Sequence, residues 1–229
     1  MGKKTERVAA IIVAAGEGRR MEGIDKMLVP LAGLPLLLRA TRPFQECPAV
    51  SRIVVVVSGE REKLCRTLVA GPDWSKVTDI CLGGVRRQDS VAAGLERLKE
   101  SGWVVIHDGA RPLVTVDLIE RGLEAAKETG AAAAAVPVTD TIKVADGAGM
   151  VLQTLPRQNL RAIQTPQVFR FDIIQAAHQQ DAGDVTDDAS LVERLGYKVK
   201  LYTGSYDNIK VTKPADLALA EIILRRRGQ

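Results

Sequence analysis

Apolar runs alternate with segments of helical period along almost the whole chain. This is the pattern of a mainly parallel sheet with helices on both faces. Residues 8–14 are uninterruptedly apolar and read as a buried strand, which opens into Gly16-Glu-Gly18-Arg-Arg20-Met21 with Lys26 close behind. Residues 27–31 are a short apolar stretch, and 36–44 read as a helix begun near Pro35, a favoured first-turn residue. The β-branched run at 52–57 predicts a central strand. Ser58-Gly59-Glu60 breaks it, and 60–69 reads as the next helix. A short strand at 77–82 ends in Gly83-Gly84, and Val91, Leu95 and Leu98 mark a helical stripe within 89–100. Residues 103–107 form another buried strand, with Asp108-Gly-Ala-Arg111 at its end. Thr115 is placed to cap a helix over 116–128. The alanine-rich run 131–136 reads as a strand, since Gly130 precedes it and Pro137 follows.

The period then changes. From 139 to 157 there is no helical stripe, and two alternating segments flank the turn signal Asp146-Gly-Ala-Gly149, which predicts a β-hairpin. An isolated hairpin buries itself poorly in water, so residues 139–157 are expected to protrude as an arm used in dimerisation. The core pattern resumes at 162–169, followed by helices at 172–180 and 189–195, the latter stopped by Gly196. A strand at 198–202 and a last helix at 215–227 complete the pattern. No repeat or linker divides the chain. The expectation is an α/β fold: residues 1–229 as a single Rossmann-like domain, with a mainly parallel sheet flanked by helices and a protruding β-hairpin arm.

Composition narrows the function. Of 229 residues, 46% are hydrophobic and 26% charged, ordinary for a soluble globular domain. The balance of 32 Lys+Arg against 28 Asp+Glu gives +4. That mild excess suits phosphorylated ligands but is too small and too dispersed for nucleic acid, and 3% aromatics offers no base-stacking platform. Cys47, Cys65 and Cys81 have no CxxC spacing and read as buried free thiols of a reducing cytoplasm. No apolar run of signal type precedes the first strand, and none approaches the ~20 residues of a membrane span. A cytoplasmic protein with no membrane partner is expected.

In open α/β sheets, ligands bind beyond the carboxyl ends of the strands. The first loop, 83–90, 108–111 and the polar segment 186–188 with Lys210 all fall at such ends. Gly16-x-Gly18 is not a dinucleotide fingerprint, because Met21 stands where a third glycine or alanine belongs, and no Gly-Lys-Ser/Thr follows to make a Walker A loop. Backbone N–H groups at a strand end, with Arg20 and Lys26, nevertheless suit an anion, and the expectation is a grip on a nucleotide triphosphate. Gly83-Gly84 alone would also serve as a plain turn, and Asp108 as a plain partner for Arg111. His107 reads as a satisfied strand-end histidine and His178 as a surface residue of its helix. Two histidines and three scattered cysteines support neither a zinc site nor a Cys/His nucleophile pair.

Ala14-Ala-Gly-Glu-Gly-Arg-Arg-Met21 with Lys26 resembles the opening motif of sugar and polyol phosphate nucleotidyltransferases. Gly83-Gly-Val-Arg-Arg-Gln-Asp-Ser-Val91, His107-Asp-Gly-Ala-Arg-Pro112, Pro137-Val-Thr-Asp-Thr141, Arg157, Thr165-Pro-Gln167, Thr186-Asp-Asp-Ala-Ser190 and Asn208-Ile-Lys-Val-Thr212 follow in the order seen in the 2-C-methyl-D-erythritol 4-phosphate cytidylyltransferases. The resemblance spans nearly the whole chain. It implies that Ala14, Ala15, Gly84 and Ser90 hold cytosine, that Gly16, Gly18, Arg20 and Lys26 hold the triphosphate, and that Arg87 also serves the nucleotide. Asp108, Arg111, Thr165, Thr186 and Lys210 match the polyol phosphate pocket. Thr141 and Arg157 lie on the arm and, in the family, enter the pocket of the partner subunit of a homodimer. Lys26 follows Arg20 one residue sooner than in some members, Asp25 stands where proline is common, and Val85 replaces a polar residue. The chain ends soon after its last helix, so it is not expected to be the two-enzyme fusion known for this family.

The implied reaction is attack by a substrate phosphate oxygen on the α-phosphorus of CTP, releasing pyrophosphate. Such transfer is catalysed mainly by positioning and electrostatics. A phosphate monoester is already largely ionised at neutral pH, so no general base is needed. Arg20 and Lys26 are the candidates for charge stabilisation at the α-phosphate, and Arg157 and Lys210 for positioning the attacking phosphate. Mg²⁺ or another divalent cation is expected to bridge the triphosphate oxygens, with Asp108 as its candidate protein contact and Asp207 as a weaker one. The rival readings are a ribitol 5-phosphate cytidylyltransferase on the same scaffold and a non-catalytic nucleotide-binding module.

Overall fold

The structure, a computed structural model, describes residues 7–16, 25–98, 101–180 and 183–228. β1 (Val8–Ala14) is buried along nearly its whole length, as an unbroken apolar run must be inside a parallel sheet. The apolar stretch after Lys26 becomes two short paired strands, β2 (Pro30–Leu31) and β3 (Leu34–Pro35), and α1 (Leu36–Glu46) starts directly after Pro35. β4 (Val50–Val57) begins ahead of the predicted run and is followed by α2 (Gly59–Leu68) and β5 (Val77–Leu82). α3 (Arg87–Leu95) starts earlier than the apolar stripe indicated. The Asp89 carboxylate accepts the Arg86 N–H at 3.0 Å and closes a capping box one turn upstream.

β6 (Trp103–Asp108) leads to α4 (Val116–Thr129), whose first turn is capped by Thr115 Oγ1 accepting the Leu118 N–H at 3.2 Å. The alanine-rich run is β7 (Ala131–Pro137). The predicted hairpin forms from β8 (Lys143–Ala145) and β9 (Val151–Thr154), which make a separate two-stranded sheet with every strand residue exposed. β10 (Arg161–Arg170), α5 (Phe171–His178), α6 (Asp188–Arg194), β11 (Lys200–Thr203) and α7 (Pro214–Arg226) complete the fold.

The main sheet has seven strands in the order β11-β7-β10-β6-β1-β4-β5. β10 runs antiparallel to both neighbours, and the other pairings are parallel. One core, under α1, α4 and α7, holds Ile12, Leu36, Phe44 and Leu224; the other, under α3, α5 and α6, holds Ile11, Val91, Phe169 and Val192. Cys47, Cys65 and Cys81 are buried free thiols. Among the described residues no helix is long and apolar enough to cross a membrane.

This topology decides where chemistry gathers. The parallel strands β1, β5 and β6 deliver residues 15–16, 83–86 and 108–111 to one edge. Antiparallel β10 enters from that edge, and its pairing of Gln167 with Ile106 carries Thr165 to Asp108.

Candidate active site

Asp108 ends β6 with a buried carboxylate whose two oxygens are both taken. Arg87 Nε donates to Oδ1 at 3.0 Å and Lys210 Nζ donates to Oδ2 at 2.7 Å. Burial alone would push this carboxyl up. Arg87, Lys210 and Arg111 outweigh burial and hold it well below the usual carboxylate range. Arg87 reaches Asp108 from the first turn of α3 and also donates through Nη1 to Asp188 Oδ2 at 2.7 Å. Asp188 is buried at the start of α6, and its other oxygen lies 3.3 Å from His178 Nε2. The two carboxylates keep Arg87 protonated despite its burial.

Behind this cluster lies a hydrogen-bonded chain. The Asp108 N–H donates to Thr165 Oγ1 at 3.0 Å, and Thr165 Oγ1 lies 3.0 Å from His107 Nδ1. His107 Nε2 lies 3.0 Å from the Arg111 carbonyl, which can only accept. The network therefore assigns the proton to Nε2 and makes Nδ1 the acceptor of the Thr165 hydroxyl. Burial pushes the His107 imidazolium down to about 4, so the ring is neutral. It is the satisfied strand-end histidine that its position predicted. His178 differs from expectation: its side chain is only 7% exposed, because it borders the buried stripe of α5 and meets Asp188 on α6.

Two connections stitch residues 208–211 onto the β6 loop: Arg111 Nη1 donates to the Asn208 carbonyl at 2.7 Å, and the Val211 N–H donates to the Ala110 carbonyl at 2.8 Å. Lys26 joins the same place, its Nζ 3.1 Å from the Val211 carbonyl. Asp108, Arg111, Thr165, Thr186, Arg87 and Lys210 all line one hollow of about 390 Å³. Arg87 Nη2 and Arg111 Nε are buried there without a hydrogen-bond partner. An unsatisfied buried donor costs about 1–3 kcal/mol, so two such guanidinium nitrogens call for acceptor oxygens from a ligand. Larger surface hollows of about 740 and 730 Å³ lie elsewhere and are lined by none of the sequence candidates.

The nucleotide candidates meet beside this hollow. Ala14 is buried at the end of β1, with Ala15 and Gly16 after it. A Cβ on Gly83 would stand 2.3 Å from Ala15 Cβ and 2.5 Å from Ser90 Oγ, and one on Gly84 2.4 Å from Asp89 Cβ. Only glycine lets the β5 end lie this close to β1 and α3. Val85 projects fully into solvent. Gly18 and Arg20 lie outside the described residues. Thr141 and Arg157 sit exposed on the arm and line no part of the hollow, with Arg157 Nη1 donating to the Thr139 carbonyl at 2.5 Å.

Sequence reasoning did not single out Asp188 as a side chain, although it lies inside a motif quoted for the resemblance. It missed Arg61 altogether. Among the described residues no three His, Cys, Asp or Glu are placed to hold a metal. Asp108 is engaged by two cations, and Asp207 faces Arg226 at 2.6 Å. The described residues do not fit a resident metal ion.

A family model described as IspD: 2-C-methyl-D-erythritol 4-phosphate cytidylyltransferase matches residues 8–226. A relative of that name from Dehalococcoides mccartyi (strain CBDB1) is 51% identical over 221 residues, covering 96% of this chain and 97% of its own. The crystal structure of 4-diphosphocytidyl-2C-methyl-D-erythritol synthase from Anaerococcus prevotii superposes with a TM-score of 0.85 at 28% identity, covering 97% of this chain and 100% of that one. The 2-C-methyl-D-erythritol 4-phosphate cytidylyltransferase from Thermus thermophilus gives 0.76 at 32% identity, covering 94% and 98%. The chain belongs to the 2-C-methyl-D-erythritol 4-phosphate cytidylyltransferase family.

Proposed function

We propose that this enzyme joins CTP and 2-C-methyl-D-erythritol 4-phosphate, giving 4-diphosphocytidyl-2-C-methyl-D-erythritol and pyrophosphate for isoprenoid precursor synthesis in the cytoplasm. The observation that carries the residue roles is the pair of unpartnered buried nitrogens, Arg87 Nη2 and Arg111 Nε, beside the Asp108–Lys210 ion pair. The methylerythritol phosphate occupies that hollow, with its phosphate oxygens on Arg111 and Lys210, while Thr165, whose hydroxyl proton goes to His107 Nδ1, can only accept from a substrate hydroxyl. Asp108 fixes Arg87 and Lys210 and meets a substrate hydroxyl.

CTP lies along Ala14, Ala15, Gly84 and Ser90, with its phosphates toward Gly16, Gly18, Arg20 and Lys26. Arg87 stands at the boundary between the two substrates. The attacking phosphate oxygen forms a bond to the α-phosphorus as the bond to the bridging β-oxygen breaks, and pyrophosphate leaves with its electron pair. No proton has to be removed, which agrees with a neutral, fully hydrogen-bonded His107. Lys26 and Arg20 offset the charge that develops on the α-phosphate. A divalent cation would enter with CTP as part of that substrate and supply charge neutralisation on its phosphates, while Asp108 stays paired with Arg87 and Lys210.

The exposed arm supplies Thr141 and Arg157 to the hollow of a second copy, so the working unit is a homodimer. Lys210→Ala tests the assignment. It should raise KM for methylerythritol phosphate at least about tenfold, the loss of one charge-assisted hydrogen bond, with KM for CTP little changed. An unchanged KM for the polyol phosphate would remove Lys210 from the pocket.

A further inference from the structure

Arg61, on α2, is only 5% exposed. Its guanidinium joins two segments far from it in sequence. Nε donates to Asp25 Oδ2 at 2.6 Å, while Nη1 donates to the Ala14 carbonyl at 2.8 Å and the Gly16 carbonyl at 3.0 Å. Asp25 turns its other oxygen to the Met27 N–H at 3.1 Å. The residue on each side of Lys26 is thereby tied down, directly or through Asp25, to the carboxyl end of β1.

Two geometric consequences follow. A trans peptide is planar, with its C=O and N–H opposed. Holding the Ala14 carbonyl on Arg61 therefore aims the Ala15 N–H the other way. The Asp25 contacts, in turn, set where the Lys26 side chain begins, and its Nζ is 3.1 Å from the Val211 carbonyl, one residue from Lys210. Burying an arginine requires a counter-ion, and Asp25 meets that need alone. The further bonds, to the Ala14 and Gly16 carbonyls, fix the backbone where it leaves β1.

We propose that Arg61 is a positioning residue for CTP, acting through the Ala14–Ala15 peptide and Lys26, with Asp25 as its counter-ion. The proposal rests on the reading of the β1 end and Lys26 as part of the CTP site. A lysine at 61 keeps the charge but lacks the planar fork that spans three acceptors. Asp25→Asn keeps an acceptor for Met27 and removes the charge facing Arg61.

The test is made on the full chain with Mg·CTP, using calorimetric binding, steady-state pyrophosphate release and thermal melting. Arg61→Lys should raise Kd and KM for CTP about tenfold and lower kcat, with KM for methylerythritol phosphate within about twofold. Asp25→Asn should shift the same parameters in the same direction. The Arg61→Gln/Asp25→Asn double variant should be no worse than Arg61→Gln alone, since contacting residues couple. If Arg61→Gln does not fold, Arg61→Lys and Asp25→Asn decide the matter. CTP parameters at wild-type values in both, or equal changes for both substrates, would overturn the proposal and leave Arg61 as packing. Lys26→Ala separates the two levels. If it is inactive while the Arg61 and Asp25 variants are normal, the positioning role alone fails. If Lys26→Ala turns over normally, the site reading fails and takes the proposal with it.

Discussion

Asp108→Asn removes one negative charge from a buried cluster while keeping shape and volume. Lys210 is 42% exposed, so losing its ion pair returns it partly to water and costs about 0.5–1 kcal/mol. Arg87 is more buried and loses a charge-assisted bond worth about 1.5–3 kcal/mol, but it retains Asp188 and stays compensated. The sum is about 3 kcal/mol, which for a domain of this size lowers Tm by about 6–12 °C. The pH dependence carries a sign. Asp108 has its folded-state pKa depressed, because the neighbouring cations outweigh burial. Between that value and the ordinary carboxylate pKa of about 4, the unfolded chain binds more protons, so stability rises with pH. The gap between wild type and variant should be full above about pH 5 and shrink on acidification below about pH 4. Differential scanning calorimetry from pH 3 to 8 measures it. A variant melting with or above the wild type at pH 7 would contradict this, and would mean that desolvating the carboxylate cancels its ion pairs.

Lys26→Ala and Arg157→Ala should each lower turnover by about 10²–10³, the scale of one lost transition-state donor. Mixing the two inactive proteins should restore part of the activity if Arg157 acts across the dimer, and no recovery would confine each site to one chain. The His107 ring, buried and neutral with its pKa pushed down to about 4, should keep neutral ¹⁵N shifts at pH 5.5, where an exposed histidine would be largely protonated. An NMR midpoint above pH 6 would contradict the network drawn around it. Chelation with EDTA should abolish turnover yet leave the melting curve of the substrate-free protein in place. A large fall in Tm would mean a resident metal.

What was legible in the sequence was what local pattern can carry. β1 is an unbroken apolar run, β4 and β6 carry apolar runs over 53–57 and 103–106, α4 announces its start at Thr115, and the arm announces itself by losing helical period. Segment order, compared with a known family, named six of the residues that line the hollow. The direction of β10 was not legible, because a buried strand of either polarity has the same composition. Nor were the contacts that set charge. Arg87 meets Asp188 across 101 positions, and Arg61 meets Ala14 across 47. His178 looks like a surface residue of a short helix until α6 packs Asp188 against it. Such pairings exist only once the sheet has closed.

CTP-specific transfer to methylerythritol phosphate in this cation-lined hollow stands or falls on pyrophosphate release measured for each triphosphate against each polyol phosphate. The expected result is fast release with CTP and 2-C-methyl-D-erythritol 4-phosphate together, and little with ATP, GTP or UTP, with ribitol 5-phosphate, or with either substrate alone. Equal or faster release with ribitol 5-phosphate, or none with any pair, would contradict it.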